Sequence, residues 1–116
     1  MFALAAHPPP PPPPARVLTF ASEYRFTVSR RSVPAGPLRL QLRNIGEDDH
    51  DLRIIGPRGG VRAETGTVRP GRVGEIRTRL SRGRYTLICT VGDHEAHGMR
   101  ATLVVKKRAK PRRARR

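Results

Sequence analysis

The stretch Cys89-Thr90-Val91-Gly92-Asp93-His94-Glu95-Ala96-His97-Gly98-Met99 places a thiolate, an imidazole and a thioether at intervals of five residues. A loop of this length between two extended segments can fold back so that all three donors meet at one point. A fourth donor is His50, at the start of an earlier segment able to lie beside that loop. Two imidazoles and one thiolate in a plane, with a methionine sulfur on a long axial bond, suit copper, whereas Mg²⁺ and Ca²⁺ prefer oxygen. Singly, each residue has a plainer reading: a lone Cys is usually a small buried hydrophobe, Met99 can fill a core, and His50 or His94 can sit on a surface. Their joint spacing is what points to a metal. Cys89 is the only cysteine, which excludes an intramolecular disulfide, a four-thiolate zinc or iron–sulfur site, and a binuclear copper centre with two bridging thiolates.

Donors this far apart in sequence need a scaffold, and from residue 17 the chain supplies short alternating stretches broken by Gly and Pro. No helical periodicity lasts ten residues, which predicts an all-β chain. Val17-Leu18-Thr19-Phe20 and Tyr24-Arg25-Phe26-Thr27-Val28 read as strands. Val33-Pro34-Ala35-Gly36-Pro37 reads as a turn. After it Leu38, Leu40 and Leu42 point one way and Arg39, Gln41 and Arg43 the other, up to Asn44-Ile45-Gly46. Further strands are expected from His50 to Ile55, from Val73 to Leu80, from Gly83 to Cys89 after a Ser81-Arg82-Gly83 turn, and from Ala101 to Val105. Residues 59–70 read as loop or a short helix. Seven or eight strands in about 90 residues predict a β-sandwich.

The chain has 116 residues, 24 Lys+Arg against 9 Asp+Glu, a net charge of +15 and a pI near 11.8. That size leaves room for one small domain and argues against a large enzyme with a buried substrate chamber. Much of the charge is terminal: residues 106–116 carry eight basic groups and no acid, and read as a disordered basic tail. Residues 8–14 are seven consecutive prolines, a polyproline spacer of roughly 20 Å at about 3.1 Å each, inside an N-terminal segment 1–16 expected to be disordered. The folded domain is therefore placed at residues 17–105. Met1 to His7 is too short and uncharged for a complete secretory signal. Ala3-Leu4-Ala5 has the small-x-small pattern of a cleavage-site remnant, and an ordinary N-terminus fits equally well.

The segment Gly83-Arg84-Tyr85-Thr86-Leu87-Ile88-Cys89, with His94 five residues on and Gly98-Met99 closing the loop, resembles the C-terminal ligand loop of cupredoxins, the blue (type 1) copper proteins of plastocyanin and azurin kind. Val33-Pro34-Ala35-Gly36, the Leu38 to Asn44 strand and His50 resemble the upstream half, so the likeness spans roughly residues 17–105. It implies a Greek-key β-sandwich and one copper ion, Cu(I)/Cu(II), on His50, Cys89, His94 and Met99. It further implies single-electron transfer between redox partners, a carrier and not an enzyme, and an extracytoplasmic (periplasmic or secreted) location. His94 would be the solvent-facing edge that electrons cross. Hydrogen bonds to the Cys89 sulfur would come from loop amides and from near Asn44-Ile45. The chain departs from the pattern in two places: Gly92-Asp93 stands where many relatives have Pro-Gly, and Asp51 where Asn commonly ties the two ligand loops together. Glu47, Asp48, Asp49 and Asp51 crowd His50 and are expected to be solvated, with His97 a bystander.

The positive charge suggests an acidic redox partner, or anionic membrane or cell-wall surfaces reached through the tail. A monomer is expected. Copper storage or delivery would use the same ligands on a more exposed, exchangeable ion, and a metal-free cupredoxin-like module would keep the fold alone. Specific nucleic-acid binding is disfavoured by the lack of Trp and the few aromatics available for stacking.

Overall fold

Alternation of inward apolar and outward polar side chains builds nine strands in the structure, a computed structural model that describes residues 8–109. The possible signal remnant at residues 1–7 and most of the basic tail, residues 110–116, lie outside the described residues. The strands are β1 (Ala15–Ser22), β2 (Arg25–Val28), β3 (Ser32–Pro34), β4 (Gly36–Asn44), β5 (Arg53–Ile55), β6 (Val61–Glu64), β7 (Val73–Leu80), β8 (Gly83–Ile88) and β9 (Arg100–Lys106). One sheet runs β2-β1-β4-β7 and the other β3-β9-β8-β5-β6. Both are mixed, with β1 parallel to β4 and β3 parallel to β9.

The inward set of β4, Leu38, Leu40 and Leu42, is buried as its alternation predicts, with Val17 opposite Leu40 on one side and Ile76 on the other. The second sheet contributes Ile54, Tyr85, Leu87, Leu103 and Val105 to the same core. Each such side chain stabilises the fold by about 1.5–3 kcal/mol relative to exposure. Tyr85 is also buried, and its hydroxyl donates to the Ser81 carbonyl at 2.8 Å, closing the corner between β7 and β8.

The expected all-β sandwich is what the chain forms, with nine strands where seven or eight were expected; β3 and β6 are the short strands that the alternation did not mark. Val33, read as part of a turn, is buried in β3 and lies opposite Val105, so this segment is where the chain crosses from one sheet to the other. Residues 61–64, read as loop or helix, form the edge strand β6. Val61 there is 52% exposed, so no inward apolar face marks it in the sequence. His50 does not open a regular strand. It makes an isolated bridge with Val68, and β5 begins three residues later.

The register fixes which loops share an end. Ala21 of β1 pairs with Asn44 of β4, and Ile88 of β8 pairs with both Arg53 and Arg100. The β1–β2 turn and the loop after β4 therefore leave the first sheet together, and the segment before β5 and the loop from β8 to β9 leave the second.

Candidate metal centre

Three of the four sequence-predicted ligands have donor atoms that converge. His50, Cys89 and His94 offer atoms that all lie within 4.8 Å of one another. The Cys89 Sγ is 3.9 Å from His50 Nδ1 and 3.5 Å from His94 Nδ1, and the two imidazole centroids are 4.9 Å apart. Met99 is held to this group through its backbone: its carbonyl accepts the Cys89 N–H at 3.2 Å, its amide donates to the His94 carbonyl at 3.1 Å, and its side chain is fully buried. His97 is no part of the cluster, with Nε2 3.0 Å from the Asp93 carboxylate and the ring exposed.

Local hydrogen bonds explain how the two loops hold these positions. The Asn44 side-chain amide donates to the carbonyls of Asp48 and Val68, both at 2.8 Å, and its oxygen accepts the Gly46 N–H. His50 and Val68 exchange backbone bonds of 3.1 and 2.7 Å, which fixes His50 from its other side. In the ligand loop, Gly92 takes a left-handed φ of +49°, which a glycine adopts without steric cost, and the His94 amide then reaches the Val91 carbonyl at 3.0 Å. Gly92 thus makes the turn that presents His94. Asp51 ties the loops together: its Oδ1 accepts the Thr90 N–H at 2.6 Å and its Oδ2 accepts the Thr90 hydroxyl.

The acids divide. Glu47 and Asp49 are exposed, as expected of solvated carboxylates. Asp51 is buried in its bond to Thr90, and Asp48 places a carboxylate oxygen 3.2 Å from His94 Nε2, so these two serve the site. Sequence reasoning missed Glu23. Its Oε2 lies 3.3 Å from His50 Nε2, while Oε1 accepts the N–H groups of Glu47 and Asp48. Burial works to raise the Glu23 pKa, but the Asp48 and Glu47 amides and His50 outweigh it and hold the carboxyl below its ordinary value. Glu23 precedes His50 by 27 residues in an unremarkable turn, and the only sequence trace of its role is Gly46, the residue it packs over.

Two implied features are corrected. His94 is not a solvent-facing edge: it is 6% exposed, with Tyr24 edge-on at a centroid distance of 5.1 Å and Asp48 across its outer nitrogen. Tyr24 itself is 39% exposed and stacks on His97 at 4.7 Å. The Asn44-Ile45 region sends no amide to the Cys89 sulfur, because the Asn44 and Ile45 N–H groups donate to the carbonyls of Arg72 and Ala21 at 3.0 and 2.9 Å; the amides that act on the thiol are those of Asp51 and Val91. Burial pushes the Cys89 thiol up, those two amides act against it, and the nearby Asp51 carboxylate adds to it. A buried thiol between two imidazoles is a group that gives up its proton when a cation takes the proton's place.

No family model matches the chain, and no curated protein matches it in sequence. Solved structures do match in fold. A reduced auracyanin from the photosynthetic bacterium Roseiflexus castenholzii aligns with a TM-score of 0.63 and 19% identity over 78% of this chain and 94% of its own. Auracyanin A, described as a "blue" copper protein of Chloroflexus aurantiacus, aligns at 0.66 and 17% identity over 81% of this chain and 100% of its own. Reduced rusticyanin aligns at 0.61 and 21% identity over 78% of each chain. Across about four-fifths of its length, then, the chain has the cupredoxin β-sandwich fold that these proteins share.

Proposed function

We propose that this chain is an electron carrier in which His50 Nδ1, His94 Nδ1 and Cys89 Sγ would hold one copper ion, with Met99 supplying a further sulfur donor. The convergence of the three donors within 4.8 Å carries the reading. The donor set fits: two imidazoles and one thiolate favour copper over oxygen-seeking ions. Bound copper would supply a one-electron couple. The chain's own part is to hold the donors still, and the bonds of Asn44, Val68 and Asp51 do so from outside the cluster. Burial favours a carrier over a storage or delivery protein. His50, Cys89 and Met99 are inaccessible and His94 nearly so, whereas an exchangeable ion needs an open side. Titration of the metal-free chain with Cu(II) tests this: an intense visible thiolate-to-copper band should rise to saturation at one equivalent. A chain that stays colourless does not carry a site of this kind.

In this reading the partner is an acidic redox protein, met near Tyr24. Tyr24 is the exposed aromatic over His94, and the next residue, Arg25, begins a groove of about 620 Å³ that Arg31, Arg84 and Arg100 also line, with no acid among its lining residues. Such a groove would steer a negative surface towards the metal end. The double variant Arg25→Glu/Arg31→Glu should slow electron transfer to a negatively charged redox protein by about tenfold at low salt, a difference that salt removes. Stopped-flow mixing at rising ionic strength measures it, and a salt-independent rate equal to wild type would place docking elsewhere. Work outside the cytoplasm belongs to the same proposal. Among the described residues no helix is long and apolar enough to cross a membrane.

A further inference from the structure

The tip of the β1–β2 hairpin lies on the donor cluster although it supplies no ligand. Glu23 is fixed there from four directions. Its carboxylate accepts the amides of Glu47 and Asp48, meets His50 Nε2 at 3.3 Å, and lies over Gly46 so closely that a Cβ on Gly46 would collide with Oε2 and Cδ. The space for this carboxylate exists only because residue 46 has no side chain. An imidazole has one proton to place between two nitrogens, and a carboxylate on Nε2 draws it there, leaving the Nδ1 lone pair free on the side that faces Cys89.

We infer that Glu23 is a positioning residue for the metal centre: it selects the His50 tautomer that presents Nδ1 to the cluster and holds a negative charge behind that ring. The inference rests on the copper reading above. The first effect raises the basicity of His50 as a ligand, and the second favours the more highly charged ion over the less charged one, so Glu23 keeps the reduction potential low. Asp48 stands in the corresponding place behind His94, but its side chain is 49% exposed against 25% for Glu23, so solvent screens it more. The two ligand histidines are thus backed by unequal carboxylates, and the less exposed one dominates.

The experiment compares wild type, Glu23→Gln, Glu23→Ala and Asp48→Asn. Ring-nitrogen NMR of the metal-free chain should find His50 protonated on Nε2 in wild type and a mixture of tautomers in Glu23→Ala. With copper, Glu23→Gln keeps the side chain's shape and loses its charge. It should weaken Cu(II) about 10-fold to 100-fold, with a smaller change for Cu(I). A tenfold change in the Cu(II)-to-Cu(I) affinity ratio is a rise of about 59 mV in potential, and Asp48→Asn should move it less. A Glu23→Gln variant with unchanged potential, or a Glu23→Ala variant that folds and keeps His50 wholly in the Nε2–H form, overturns the inference. Failure of the wild-type chain to take up copper would overturn the functional reading instead, and the metal-free spectra would still decide what Glu23 does to His50.

Discussion

Cys89→Ser should abolish the visible charge-transfer band expected of the copper-loaded chain and lower Cu(II) affinity by orders of magnitude, while the metal-free domain stays folded. The serine hydroxyl is not a soft donor and does not ionise near neutral pH, and the strong covalent bond in the donor set is the thiolate's. Serine nearly matches cysteine in size, so it fills the same fully buried place at position 89 and opens no large cavity. The remaining imidazoles can still hold a weakly bound, faintly coloured ion. Absorption spectra and competitive copper titration measure the loss, and thermal unfolding of the metal-free variant should fall close to wild type. An intense band that survives in Cys89→Ser would remove Cys89 from the centre and with it the reading of a blue copper site.

Leu87→Ala should be the most destabilising single change among those considered. Leu87 is wholly buried in β8, paired with Ile54 on one side and Ala101 on the other, and points into the core two residues before Cys89. Truncating a buried Leu to Ala costs about 2–5 kcal/mol through lost transfer energy and the cavity left behind. Against a total stability of roughly 5–15 kcal/mol for a domain of this size, that is a large share. The thermal midpoint should drop by roughly 8–40 °C at about 4–8 °C per kcal/mol. Val61→Ala, on the exposed edge strand β6, should stay within about 0.5 kcal/mol and serves as the control. Equal midpoints for the two variants would mean that the β5–β8–β9 layer is not packed as described.

What could be read from the sequence follows from how far apart the cooperating residues lie. Strands whose inward face is wholly apolar, such as β4 with Leu38, Leu40 and Leu42, announce themselves within nine residues, and the Cys89 to Met99 loop carries three donors in eleven. Edge strands do not, because β6 has almost no buried face to pattern. The acids near His50 were visible as a cluster, yet their individual fates depend on the fold: Asp51 turns to Thr90, Asp48 to His94, and Glu47 and Asp49 to solvent. Glu23 was illegible for the same reason. Its place beside His50 comes from the parallel pairing of β1 with β4, a contact that no local pattern encodes. The burial of His94 likewise depends on Tyr24, which the same pairing delivers.

The parallel pairs also bear on how fast the molecule can form. β1 must find β4 past an intervening hairpin, and β3 at residues 32–34 can complete its ladder only with β9 at residues 104–106, near the other end of the domain. Loops of that length must close before the contacts that reward them exist, so acquisition of the native state belongs to the slow class of small domains, roughly milliseconds to seconds. His50 and Cys89 both lie between β3 and β9, and they are brought together by the pairing of Arg53 in β5 with Ile88 in β8. A nascent or partly collapsed chain therefore keeps these donors apart, and the cluster of His50, Cys89 and His94 comes together only once β5 and β8 have paired.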